Sequence, residues 1–184
     1  MCCGTKRIVQ IQCPDDCAYL ASAREHPAAA VVRQQQRDIS LVMQFVRDFN
    51  DRQSHLFLFI NTFLKKYQPP EFESLIDDDI AEAMKALAAT YETASRGVIY
   101  EHRPASLPAQ RLVTALAPVL ADAGKGGGSS FERDAAVVMR RIEQAVADVR
   151  ASDQLNRRAY LDLLGRVIVK RDQGAGDSTN VVNL

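Results

Sequence analysis

The chain has 184 residues, of which 47% are hydrophobic and 25% are charged, and its formal net charge at neutral pH is zero. This length and composition are typical of a globular protein with one sizeable domain, or with one domain plus a small appendage, and they exclude a disordered or membranous chain. Because acidic and basic residues balance, no overall positive field attracts nucleic acid, so a nucleic-acid partner is not expected.

All four cysteines of the chain lie near its N-terminus, at Cys2, Cys3, Cys13 and Cys17. Four thiolates are the number of ligands that a tetrahedral zinc site requires. Gly4 and Pro14 each follow a cysteine and favour tight turns, and a helix that begins near Pro14 would place Cys17 in its first turn. The pattern predicts a cysteine-rich metal knuckle within residues 1–26, with Zn²⁺ held by the four cysteines.

The cysteine spacing also leaves other interpretations open, because it lacks the two CxxC pairs of a standard zinc site. His26 could replace one of the adjacent cysteines, Cys2 and Cys3, as a ligand. An iron–sulfur cluster is the main alternative, since cluster ligands are also cysteines that proline can follow. Redox-active or disulfide-bonded cysteines and free cysteines are the remaining alternatives.

The N-terminal stretch has no continuous apolar segment of the kind found in a signal peptide, so a cytoplasmic protein with reduced thiols is expected. The segment between the two cysteine pairs, KRIVQIQ, carries the clearest strand pattern.

The longest dense apolar run, His55–Leu64, is about half the length of a membrane-spanning helix. It is therefore interpreted as a buried core segment, and no membrane partner is expected.

From residue 27 to residue 170 the hydrophobic periodicity is helical, which predicts an all-α domain: an antiparallel bundle of five or six helices. The first helix has an apolar stripe at Val32, Ile39, Val42, Val46 and Phe49. The second is the most apolar and is expected to be central, with Phe57, Phe59, Ile60, Phe63, Leu64 and Tyr67. Pro69 and Pro70 end it, because two prolines cannot continue a helix.

The third predicted helix spans residues 76–102 and begins with three aspartates, where negative charge favours the helix dipole. Its apolar positions recur at spacings of three and four, at Ile80, Met84, Leu87, Tyr91, Ala94 and Val98. In the next helix Ser106 is the expected N-cap, Pro108 lies in the first turn, and Pro118 is expected to kink or shorten the helix.

The stretch GKGGGSS, residues 124–130, is predicted to be a flexible linker inside the helical domain. It does not match the GxxxxGK[ST] phosphate-binding pattern, because Lys125 is followed by Gly126. A fifth helix follows, with a stripe at Phe131, Ala135, Val138, Ile142, Ala145 and Val149. A sixth is expected after a cap at Ser152 or Asp153, with Leu155, Ala159, Leu163 and Val167 buried. Residues 171–184 are predicted to be a disordered tail.

Charge is unevenly distributed along this helical domain. Residues 71–101 carry eight acidic and two basic side chains, whereas residues 131–171 carry nine basic and six acidic ones. Complementary, solvated helix faces explain this pattern, and a weak basic contact surface is the alternative. Polar and aromatic side chains also gather at the end of the third helix, at Tyr91, Glu92, Arg96, Tyr100, Glu101, His102 and Arg103.

These patterns predict an intracellular metal-binding helical protein that acts through protein–protein contacts, either with another protein or by self-association. An iron–sulfur redox or sensor protein is the first alternative. The second is an enzyme with a site near the polar end of helix 76–102, where a histidine and several charged groups lie close in sequence. No residue is assigned a catalytic role by the sequence.

Overall fold

The computed structural model describes residues 29–69 and 74–168, which form six α-helices and no strand. The helices are α1 (Ala29–Val46), α2 (Asp51–Lys66), α3 (Asp77–Ala94), α4 (Leu107–Ala123), α5 (Gly128–Ser152) and α6 (Ala159–Val167). The predictions of an all-α fold and of five or six helices are confirmed for this part of the chain. The cysteine segment, the KRIVQIQ strand and the C-terminal tail lie outside the described residues.

Contacts divide the chain into two compact units, residues 1–41 and 42–184. In the first unit the described residues are the N-terminal part of α1. There Gln34 donates a hydrogen bond of 2.8 Å to Asp38, and Arg37 donates one of 2.6 Å to Gln34. Ile39 was expected in a buried stripe and is 54% exposed. A helical spacing predicts which residues share a face, but it does not determine whether another element covers that face.

Helix α5 is the centre of the second unit, because it packs against α3, α2 and α6. Its six predicted stripe residues are all buried, which confirms that pattern. The prediction that the second helix would be central is wrong: α2 leaves Phe59 exposed and buries Leu56 instead. A high apolar content made α2 seem central, but α5 makes more extensive contacts because it is longer and has a continuous stripe.

Several helix ends follow the expected capping chemistry. Asn50 and Gln53 form a capping box at the start of α2, so Asn50 begins this helix and does not extend the previous one. Ser106 caps α4 by accepting a hydrogen bond from the Ala109 amide, and Pro108 lies in the first turn, as predicted. Pro118 lies inside α4, which nevertheless continues to Ala123, so this proline does not shorten the helix.

Helix α3 ends at Ala94 and does not extend to residue 102 as predicted. Gly97 has a φ of +81°, a left-handed conformation that glycine adopts at low cost and that commonly terminates helices. Val98, expected on the buried stripe, is 54% exposed. Apolar residues keep a helical spacing beyond Ala94, so this spacing did not indicate where the helix ends. The residue that indicates the end is Gly97.

The C-terminal helix also differs from the prediction. Helix α5 extends to Ser152, and α6 begins only at Ala159, so neither Ser152 nor Asp153 caps α6. Leu155, expected to be buried, is 97% exposed in the connection. Helix α5 begins at Gly128, inside the predicted linker 124–130, and the connection itself comprises residues 124–127.

None of the helices that the structure describes is both long enough and apolar enough to cross a bilayer.

Candidate functional site

The chain turns back along α3 after this helix ends, and two hollows with charged linings lie beside the end of α3. Residues 98–104, called the return segment below, have no regular secondary structure and are held against α3 by two threonines. The Thr90 hydroxyl accepts a hydrogen bond of 2.9 Å from the His102 amide, and the Thr93 hydroxyl lies 3.3 Å from the Tyr100 carbonyl oxygen. The return segment therefore has a fixed position beside the last turn of α3.

Glu82 fixes the far end of the return segment. Its carboxylate accepts hydrogen bonds from the amides of Ala105 and Ser106, the latter at 3.1 Å. Burial raises the pKa of Glu82, but the backbone donors, the Ser106 side chain and the charge of Lys85 together lower it by more, so its pKa lies below the ordinary value. The Gln110 side chain donates a further hydrogen bond of 2.9 Å to the Pro104 carbonyl oxygen. These contacts connect the start of α4 to α3.

A cavity of about 510 Å³ lies between α3, the return segment and α4, and is called the His102 pocket below. Its apolar wall is formed by Leu87, Val113 and Ala117. Its polar wall is formed by Thr90, Tyr91, Glu101, His102, Arg103, Gln110 and Thr114, with Pro104 completing the lining. The pocket thus combines an apolar surface with charged groups of both signs.

His102 is the polar wall residue with an unsatisfied atom. Its ring packs edge to face with Tyr100, with the ring centroids 4.7 Å apart. Its Nε2 atom is buried and has no hydrogen-bond partner among the residues that the structure describes. A buried nitrogen without a partner costs free energy, and such atoms are rare in folded proteins.

A second hollow, of about 500 Å³, lies between the end of α3 and α5, and is called the basic groove below. Its charged and polar lining consists of Glu92, Ser95, Arg96, Arg133, Arg140, Arg141 and Gln144, and its floor of Ala136 and Val137. Four arginines and a single carboxylate give the lining a clear excess of positive charge.

Two of these arginines are held in place by other groups. Arg140 donates two hydrogen bonds to the Glu92 carboxylate, at 2.8 and 3.0 Å, and one of 3.0 Å to Glu143. The Arg140 hydrogen bonds hold the pKa of Glu92 below its ordinary value, and Glu92 in turn raises the pKa of Arg140. Arg141 donates a 2.7 Å hydrogen bond to the Phe45 carbonyl and lies over the Phe49 ring at 5.1 Å.

The other two arginines are exposed and have no such partner. Within residues 29–69 and 74–168, neither Arg96 nor Arg133 forms an ion pair or a hydrogen bond through its side chain. Arg96 affects Glu92 only at longer range, through its charge. The groove therefore presents two guanidinium groups that remain available to an anionic partner.

The predicted zinc ligands Cys2, Cys3, Cys13 and Cys17, and the alternative ligand His26, lie outside the described residues. Elsewhere, in the ranges that the structure describes, no three histidine, cysteine, aspartate or glutamate side chains come together as a group that could hold a metal ion.

The structure separates the seven residues at the predicted polar end of helix 76–102. Four of them, Tyr91, Glu101, His102 and Arg103, line the His102 pocket, whereas Glu92 and Arg96 line the basic groove. Tyr100 lines neither hollow and packs on the His102 ring. Sequence reasoning missed the groove residues of α5 and the pocket residues of α4, since only folding brings them to this end of α3. The excess of basic residues after position 131 was the one signal that pointed to α5.

No family model, curated protein or solved structure matches this chain.

Proposed function

We propose that the helical domain is a protein-interaction module that binds an acidic segment of a partner protein in the basic groove. The observation that carries the proposal is the pair of exposed arginines without ion-pair partners, Arg96 and Arg133, beside the anchored Arg140 and Arg141. Arginine forms two-pronged hydrogen bonds with carboxylates, so these groups suit aspartate and glutamate side chains.

An acidic polypeptide fits the groove better than a nucleic acid does. Single-stranded nucleic acids are bound by positive grooves that also carry aromatic side chains for base stacking. The lining of the groove contains no aromatic residue, and the chain as a whole has no net positive charge. A local group of arginines on a neutral chain is suited to a short complementary segment and not to a long phosphate backbone.

Binding to a fluorescein-labelled oligo-glutamate peptide, followed by fluorescence anisotropy, tests this function. The double variant Arg96→Ala/Arg133→Ala is expected to bind the peptide about tenfold more weakly, because each exposed charge contributes up to about 1 kcal/mol. The matched control is Arg157→Ala/Arg158→Ala, which removes two exposed arginines outside the groove.

Equal weakening in the two double variants would overturn the proposal, because it would show that only net charge matters. The oligomeric state of both variants is measured alongside by light scattering. A dimer that dissociates only in Arg96→Ala/Arg133→Ala would assign the acidic segment to a second copy of this chain.

We also propose, from the sequence, that the N-terminal cysteines form a structural zinc site, with an iron–sulfur cluster as the alternative. The supporting observation is that four thiols lie within residues 2–17 and none lies in the rest of the chain. Metal analysis of anaerobically purified protein is expected to give about one zinc per chain, and a brown protein that contains iron would instead favour the cluster. Absence of both metals, together with unchanged stability of Cys13→Ser and Cys17→Ser, would refute both sites.

A further inference from the structure

The His102 pocket has the size and the lining of a small-molecule site. Its volume of about 510 Å³ falls within the range of roughly 300–1,000 Å³ that is typical of ligand pockets. Leu87, which is almost fully buried, forms part of the apolar wall together with Val113 and Ala117. Such a surface suits the hydrocarbon part of a small ligand.

Most of the uncharged polar groups in the pocket are already engaged. The Thr90 hydroxyl donates to the Ala86 carbonyl and accepts from the His102 amide, and the Thr114 hydroxyl donates to the Gln110 carbonyl. The Gln110 amide donates to the Pro104 carbonyl. The charged residues of the return segment and the imidazole between them remain for a ligand.

Two of these groups can donate hydrogen bonds to an anion. The Arg103 guanidinium is exposed and forms no ion pair with any residue in the described ranges. The His102 Nε2 atom lacks a partner, and a carboxylate oxygen would satisfy its hydrogen-bonding capacity. Because Nε2 is covered, a neighbouring side chain must move before a ligand reaches it. The Tyr100 ring packs on the imidazole and is exposed, so it is free to move.

We propose that the His102 pocket binds a small organic carboxylate, with its carboxylate held by His102 and Arg103 and its hydrocarbon part against Leu87, Val113 and Ala117. Glu101 lies on the same rim and opposes a bound negative charge, so it limits affinity. This site is separate from the basic groove and does not depend on the function proposed for that groove.

Benzoate and isovalerate, titrated into the ¹⁵N- and ¹³C-methyl-labelled full chain and followed by NMR, serve as probes. Both are expected to shift the methyl resonances of Leu87 and Val113. The neutral analogue benzamide is expected to bind about tenfold more weakly than benzoate, because it lacks the charge that Arg103 and His102 recognise. Equal binding of benzamide, or no saturable shift with either acid, would overturn the proposal.

Four variants locate the site. Ala117→Phe fills the pocket and is expected to reduce benzoate affinity at least fivefold, whereas Ala121→Phe, also exposed on α4 but outside the lining, leaves it unchanged. His102→Phe keeps a ring beside Tyr100 but removes the nitrogen, and is expected to weaken binding without loss of stability. Glu101→Gln is expected to strengthen binding by about twofold.

Each of these four variants can contradict the proposal. An unchanged affinity in Ala117→Phe would place the ligand elsewhere, and an equal loss in Ala121→Phe would indicate a general effect on α4. An unchanged benzoate affinity in His102→Phe would show that the imidazole does not bind the ligand. Weaker benzoate binding by Glu101→Gln would refute the recognition of an anion. Arg96→Ala/Arg133→Ala is expected to bind benzoate normally, which separates this site from the basic groove.

Discussion

At the scale of single residues, three consecutive aspartates at the start of α3 form three different contacts. The buried Asp77 carboxylate accepts hydrogen bonds from the amides of Tyr160 and Leu161, at 2.9 and 3.4 Å, and so caps α6. Asp78 forms an ion pair with Arg150, and the Asp79 carboxylate accepts a hydrogen bond of 3.2 Å from the Ser106 hydroxyl. The helix dipole predicted the location of these acids, but not the tertiary contacts that each one makes.

Glu82 permits a prediction about pH at this scale. Glu82→Gln keeps an acceptor oxygen but removes the negative charge that strengthens its hydrogen bonds with the Ala105 and Ser106 amides, so it is expected to lower the free energy of unfolding by about 1 kcal/mol at neutral pH. Because the folded-state pKa of Glu82 lies below its ordinary 4.5, its contribution is full above pH 4.5 and is lost as the pH falls through the folded-state pKa.

Urea unfolding at several pH values measures this difference. Glu132→Gln is the control, because no described group donates a hydrogen bond to the Glu132 carboxylate. A difference between the wild type and Glu82→Gln that grows on acidification would contradict the assigned role of Glu82.

At the scale of elements, helix ends decide where the candidate sites lie. The left-handed Gly97 follows the end of α3, and the hydrogen bonds that Thr90 and Thr93 form with the return segment hold it where it lines the His102 pocket. Helix α6, with nine residues, is too short to be stable alone and depends on the Asp77 cap and on its buried leucines. The positions of the helix ends therefore determine where the candidate sites lie, whereas the all-α class alone does not.

Two glycine-to-alanine substitutions are expected to have opposite effects. Gly97→Ala imposes a left-handed backbone on a residue with a Cβ atom and is expected to cost about 1 kcal/mol of unfolding free energy. Gly165 lies inside α6 with open space around its Cα, so Gly165→Ala is expected to stabilise by about 0.5–1 kcal/mol. Thermal unfolding measures both effects, and changes in stability of the same sign in the two variants would refute this account.

At the scale of the whole second unit, a buried polar network joins helices that are distant in sequence. The Tyr160 hydroxyl donates a 2.6 Å hydrogen bond to Asn61 of α2, whose side chain donates one of 2.8 Å to the Phe57 carbonyl. The Tyr160 amide in turn bonds to Asp77 of α3. Burial raises the pKa of the Tyr160 hydroxyl, so this group stays protonated and keeps its role as a donor.

Removing the Tyr160 hydroxyl tests this network. Tyr160→Phe leaves the buried Asn61 oxygen without a donor and is expected to lower the free energy of unfolding by about 1–3 kcal/mol. Tyr67→Phe removes a hydroxyl from a half-buried tyrosine at the end of α2 and is the matched control, with an expected change below about 0.5 kcal/mol. Equal changes in the two variants would show that the network does not contribute to stability.

The sequence by itself determined the helical class, the capping of α4 by Ser106 and the buried stripe of α5, because these follow from local hydrogen bonding and from a period of 3.6 residues. It also identified the polar residues around position 100. Only the tertiary structure decided that α6 begins at Ala159, since its cap is Asp77, far away in the chain. Likewise, only folding brings Arg133 beside Arg96 and places α4 opposite His102, because these contacts join separate helices and leave no local pattern in the sequence.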